Sequence, residues 1–256
     1  MSDVAIILAA GYKAIGHNFP DVPPVCPEAL LPIGEQYGGT PVARLSSQLA
    51  QLGFQAFIAV GRPGCRYTGF LKKCVANPTS ELPAEAMPEV DRPPWTMERL
   101  KYVAQYGIPL LMPEPDMKAY DDSAMQSIDH IGTDWWERLA ILQCDFVWSD
   151  AGIEGVLSQE APCQVLVHGR HVVTQVLTPD AARLYRKLGD GYRHREKWGW
   201  TLQMRRWGEA ELPPEGKEFK EHVPYRLLPD SSICSNDIDV PKDYRNLIEH
   251  WLPRYG

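Results

Sequence analysis

The run Val4-Ala5-Ile6-Ile7-Leu8 passes without a break into Ala9-Ala10-Gly11, and this most restricts the fold. Five successive apolar residues leave a strand no polar face, so it must be covered on both sides, as in a parallel sheet. The small residues that follow remove the Cβ obstruction, so backbone N–H groups can approach a base or phosphate. Val42, Leu45, Leu49 and Leu52 then recur at helical spacing, and Gly53 supplies a stop. Phe57-Ile58-Ala59-Val60 is a second strand ending at Gly61. Strand, helix and strand in this order predict a βαβ unit and an α/β fold.

Further along, Leu110 to Met112 reads as a short strand and Asp134 to Leu139 as helix. Leu139 to Cys144 reads as an apolar strand running into Asp145. Gln164 to His168 and His171 to Leu177 suggest a β-hairpin around Gly169-Arg170, and Pro241 to Trp251 a last helix. Residues 76–95, rich in Pro, Glu and Ala, read as a loop. No stretch reads as a domain linker, which predicts one domain over 1–256, with a nucleotide-binding half (1–150) and an acceptor-binding half (151–256).

A net charge of -7 gives no global electrostatic reason to bind nucleic acid or an anionic membrane. No window approaches the ~18 successive apolar residues of a membrane helix, and MSDVAIILAAG lacks the basic start of a signal peptide. The six cysteines form no CxxC pair, which predicts reduced thiols in a cytoplasmic protein without a zinc site.

Several motifs carry a resemblance. Leu8-Ala9-Ala10-Gly11 is followed by Pro27-Glu28-Ala29-Leu30-Leu31-Pro32-Ile33-Gly34, then Gln51-Leu52-Gly53 and Ala59-Val60-Gly61. Asp145 ends a central apolar segment, and Asp237-Ile238-Asp239-Val240-Pro241-Lys242-Asp243-Tyr244 precedes the last helix. In order and spacing this resembles the sugar nucleotidyltransferase and GT-A glycosyltransferase superfamily. That family's motifs read L-A-A-G-x-G-x-R, P-K-x-L-x-P-x-x-G and D-I-D-T-P-E-D-Y. The resemblance implies a GT-A-like, Rossmann-like three-layer sandwich with a mostly parallel sheet and an inserted β-hairpin region. It also implies a nucleotide or nucleotide-sugar at Leu8, Ala9, Ala10, Gly11 and Lys13. Mg²⁺ or Mn²⁺ would be held by Asp145 and Asp239, with Asp237 in reserve; Asp150 either joins the site or caps a helix.

The departures bear on the reaction. The second glycine of the family's turn is Lys13, its arginine is Ile15, and the lysine of P-K-x-L is Glu28. Nucleotidyl transfer needs cations where charge develops on a triphosphate. Lys13 can supply one, and Arg44 is among the residues able to approach. Sugar transfer from a ready-made nucleotide-sugar needs no such clamp. The expected function is therefore metal-dependent glycosyl transfer, with Asp145, Lys13 and Asp239 as catalytic groups. Nucleotidyl transfer comes second, and a nucleotide-binding protein without catalysis third.

Residues 183–207 interleave cations with aromatics. Arg193, Arg195, Arg205 and Arg206 can follow a phosphate backbone, while Trp198 and Trp200 stack on bases or on a sugar. A nucleic-acid acceptor is one reading. The plainer one is an amphipathic helix and strand with a solvated charged face.

Overall fold

The computed structural model describes residues 2–9, 19, 22, 28–59, 110–111, 120–167, 171–192, 212–228 and 230–256. The strands are β1 (Ser2–Leu8), β2 (Gln55–Ala59), β3 (Leu110–Leu111), β4 (Trp136–Gln143), β5 (Cys163–Val167), β6 (His171–Leu177) and β7 (Tyr225–Leu228). They form one seven-stranded sheet in the order β3-β2-β1-β4-β6-β5-β7. Every pairing is parallel except those of β6, which runs against both β4 and β5. The expected hairpin is thus part of the central sheet.

The helices are α1 (Pro41–Gln51), α2 (Tyr120–Ile131), α3 (Asp150–Leu157), α4 (Pro179–Tyr192), α5 (Pro214–His222) and α6 (Pro241–Asn246). A π-helical turn over Leu247–Trp251 carries α6 into a last helical turn, Leu252–Tyr255. Alternation along β1 explains the three layers. Ala5, Ile7 and Ala9 pack with Leu45 and Leu49 of α1 and Ile153 of α3 on one face. Val4, Ile6 and Leu8 pack with Ile128 of α2, Tyr185 of α4 and Phe219 of α5 on the other. A strand sandwiched this way has to be apolar throughout. No helix among the described residues is long and apolar enough to cross a membrane.

Helix α1 forms as its sequence requires. Thr40 caps it by accepting a hydrogen bond from the Ala43 N–H at 3.4 Å, and Pro41 opens it. Gly53, at φ 81°, turns the chain into β2.

The expected helix over Asp134 to Leu139 is not found. The helix lies earlier, at 120–131, and stops at Gly132, whose φ is 73°. Trp136 then opens β4, fully buried, with its indole N–H donating to the Gly132 carbonyl at 2.8 Å. The two tryptophans fit either period, and the left-handed glycine decides where strand replaces helix.

Candidate functional site

Strand β1 has β2 on one side and β4 on the other; the strand order steps outward from β1 through β2 to β3 and then returns to β4, so it reverses beside β1. Ligands of open α/β sheets bind at such a point, outside the carboxyl ends of the strands. The three ends are level here: Leu8 pairs with Ala59 and with Gln143. The ladder continues with Ala9 N–H to the Ala59 carbonyl at 2.9 Å and Cys144 N–H to the Leu8 carbonyl at 3.1 Å. The side chains of Leu8 and Ala9 belong to the two core faces, and the Ala9 N–H and Leu8 carbonyl are committed to the sheet. Ala10, Gly11 and Lys13 lie outside the described residues.

Asp145 stands two residues beyond β4, at this same edge. A second segment comes up against it. Ser235 N–H donates to the Val147 carbonyl at 2.8 Å, and Ser149 N–H donates to the Ile233 carbonyl at 3.0 Å. Trp148 and Cys234 form an antiparallel bridge between them, and the Ser235 hydroxyl accepts from Val147 N–H at 2.9 Å. Counting outward along this antiparallel register puts Asp237 opposite Asp145. The Asp237 carboxyl lies close enough to those of Asp145 and Asp239 to interact with both. Burial, and then the two neighbouring carboxylates, push it up to about 9.

Asp145, Asp237 and Asp239 thus share one locus. The sequence pairs Asp145 with Asp239; in the structure Asp237 lies between them. Asp239 is exposed, and it does not cap α6. That role falls to the Asp243 carboxylate, which accepts from Val240 N–H at 3.0 Å and from Asp239 N–H at 3.3 Å. The hydroxyl of Tyr244 donates to the Pro32 carbonyl, tying together the two motifs that carry the family resemblance.

A divalent cation suits these residues. The Asp237 Oδ1 is buried without a hydrogen-bond partner among the described residues, and three crowded carboxyls call for positive charge or a proton. Among the described residues no group of three or more His, Cys, Asp or Glu side chains is arranged to hold a metal ion. The two observations agree if the ion is shared, because Mg²⁺ commonly takes one or two carboxylates and completes its shell with phosphate oxygens and water.

Two other expected contributors have different roles. Arg44 is nearly buried, and its Nε donates to the Trp148 carbonyl at 3.0 Å. Its other nitrogens reach the Tyr37 carbonyl and Asp150 Oδ1, both at 3.3 Å. Desolvation lowers its pKa, partly offset by Asp150. A guanidinium committed in this way is not available to a triphosphate. Asp150 opens α3 and accepts from Arg44 and from Gln48, the latter at 2.7 Å, so it belongs to the scaffold. Gln48 and Ser235 carry no motif and were not legible as supports.

Glu28, at the family's lysine position, is 2% exposed on a single 3₁₀ turn. Arg193, Arg195, Trp198, Trp200, Arg205 and Arg206 lie outside the described residues. The helical start of that basic segment is described: Tyr185 is buried, Arg183 pairs with Asp180 at 2.7 Å, and Arg186 pairs with Asp129.

No family model matches the chain. A search of curated proteins also finds no match. Solved structures do resemble it. An inositol-1-phosphate CTP transferase from T. maritima superposes with a TM-score of 0.53 at 11% identity, covering 100% of this chain and 98% of that one. A CMP:2-keto-3-deoxy-manno-octonic acid synthetase complexed with CTP gives 0.52 at 10% identity, covering 99% of each chain. A nucleotidyl transfer enzyme from Methanothermobacter gives 0.54 at 11% identity, covering 98% of each chain. At such identities the likeness is one of fold, and the fold is the one the motifs imply.

Proposed function

We propose that this chain is a divergent relative of the sugar nucleotidyltransferases and transfers a nucleotidyl group to a sugar phosphate. The observation that supports this reading is the meeting of Asp145 with Asp237 and Asp239, from distant parts of the chain, beyond the carboxyl end of β4 beside β1, the edge at which open α/β sheets bind ligands. Residues 1–150 supply the nucleotide side, through the backbone after Leu8, with Lys13 as a cation. Residues 151–256 supply the acceptor side. A phosphate oxygen of the sugar phosphate attacks the α-phosphorus, the bond to the bridging oxygen breaks, and pyrophosphate leaves. Asp145 and Asp239 would hold Mg²⁺ or Mn²⁺, with Asp237 between them; when bound, the ion neutralises phosphate charge. The residues' own task is to fix the phosphates in line with the incoming oxygen.

Sugar transfer from a nucleotide-sugar, which the motif departures favoured, becomes the second reading. One observation keeps it: Glu28 is buried where the family has its lysine, so no cation acts from that position. A nucleic-acid acceptor rests on the composition of residues 183–207 alone.

The test supplies each nucleoside triphosphate with a panel of sugar 1-phosphates and Mg²⁺, and reads pyrophosphate. Release that Asp145→Asn removes supports the proposal. Release of nucleoside diphosphate from nucleotide-sugars, with no pyrophosphate from any triphosphate, replaces it with the second reading.

A further inference from the structure

We infer that Arg44 and Gln48 are positioning residues for the carboxylate site, acting through the segment that carries Asp145; this rests on the metal reading above. The two side chains lie one turn apart on α1 and converge on the same two acceptors. Arg44 Nε and Gln48 Nε2 donate to the Trp148 carbonyl at 3.0 and 3.1 Å. Arg44 and Gln48 also reach Asp150 Oδ1, at 3.3 and 2.7 Å. Both are almost fully buried.

Charge pairing with Asp150 does not explain the arrangement. The Asp150 side chain is 82% exposed, and such a pair contributes little. A buried guanidinium also carries a desolvation cost that a fixed network has to offset. What the network fixes is the backbone at 148–150. That stretch is hydrogen-bonded on its other side to Ile233 and, through Val147, to Ser235. Asp145 leads into it from one strand, and Asp237 and Asp239 lead out of the other. The helix that follows the nucleotide turn therefore holds both halves of the acidic site in register, in the way second-layer groups orient metal ligands.

The experiment is Mn²⁺ binding to the full chain, read by electron paramagnetic resonance, for the parent, Asp145→Asn, Gln48→Met and Arg44→Met. Gln48→Met leaves the Arg44 guanidinium with its own acceptors, so it keeps the test open if Arg44→Met does not fold. Arg44→Lys retains one donor and should recover part of the loss. Asp145→Asn should abolish binding, and Gln48→Met and Arg44→Met should weaken it about 10–100-fold. If Gln48→Met and any folded Arg44 variant bind Mn²⁺ as the parent does, the inference is overturned and the metal reading stands. If the parent shows no binding that Asp145→Asn removes, both fail.

Discussion

Asp237 faces Asp145 in the register set by the short antiparallel pairing of residues 147–149 with 233–235, and their carboxyls lie close enough to interact. Two acids this close cannot both stay charged at low cost. Asp237 is held up to about 9, against an ordinary 3.8. The folded form then keeps a proton that the unfolded chain releases. Stability from this group is complete below about pH 4 and declines as pH rises toward 9. With a chelator present, the parent should melt lower at pH 8 than at pH 5, and Asp237→Asn should shrink that difference. An equal difference in the two proteins would contradict the assignment.

Asp145→Asn should lower turnover by about 100-fold or more, the scale of removing one group aimed at developing charge. Its circular dichroism and melting temperature should stay close to the parent's, because Asp145 lies beyond β4 and outside the core clusters. Steady-state kinetics beside a thermal melt checks both halves. Unchanged turnover removes Asp145 from the site.

Gly152 leaves no room for a side chain. A Cβ there would stand 2.3 Å from the Ile233 carbonyl oxygen and 2.8 Å from Ser149 Oγ. Gly152→Ala must push α3 away from the strand that leads to Asp237, at a cost of about 1–3 kcal/mol. Urea denaturation should show the loss. Gly155→Ala is the control, since nothing among the described residues lies within 4 Å of a Cβ at that position.

The Cys234 thiol is fully buried, and burial pushes it up to about 12. A thiol that stays protonated reacts slowly. Alkylation of the native protein at pH 8, mapped by mass spectrometry, should leave Cys234 unmodified until denaturant is added. Prompt labelling of the native state would show that the strand carrying it opens.

The sequence by itself determined the opening strand, helix α1 and strand β2, and it carries the two acidic motifs. Each rests on local rules: a doubly covered strand is apolar throughout, helical spacing exposes one face, and glycine stops a helix. Only tertiary structure decided that Asp237 stands between Asp145 and Asp239. That follows from pairing across about ninety residues, and no local periodicity encodes it. The roles of Arg44 and Asp150 were also invisible, because a charged residue reads as solvated until its acceptors appear. The boundary at Gly132 escaped for a related reason: two tryptophans fit helix or strand, and only the left-handed turn at Gly132, with Trp136 buried in the finished sheet, settles where the strand begins.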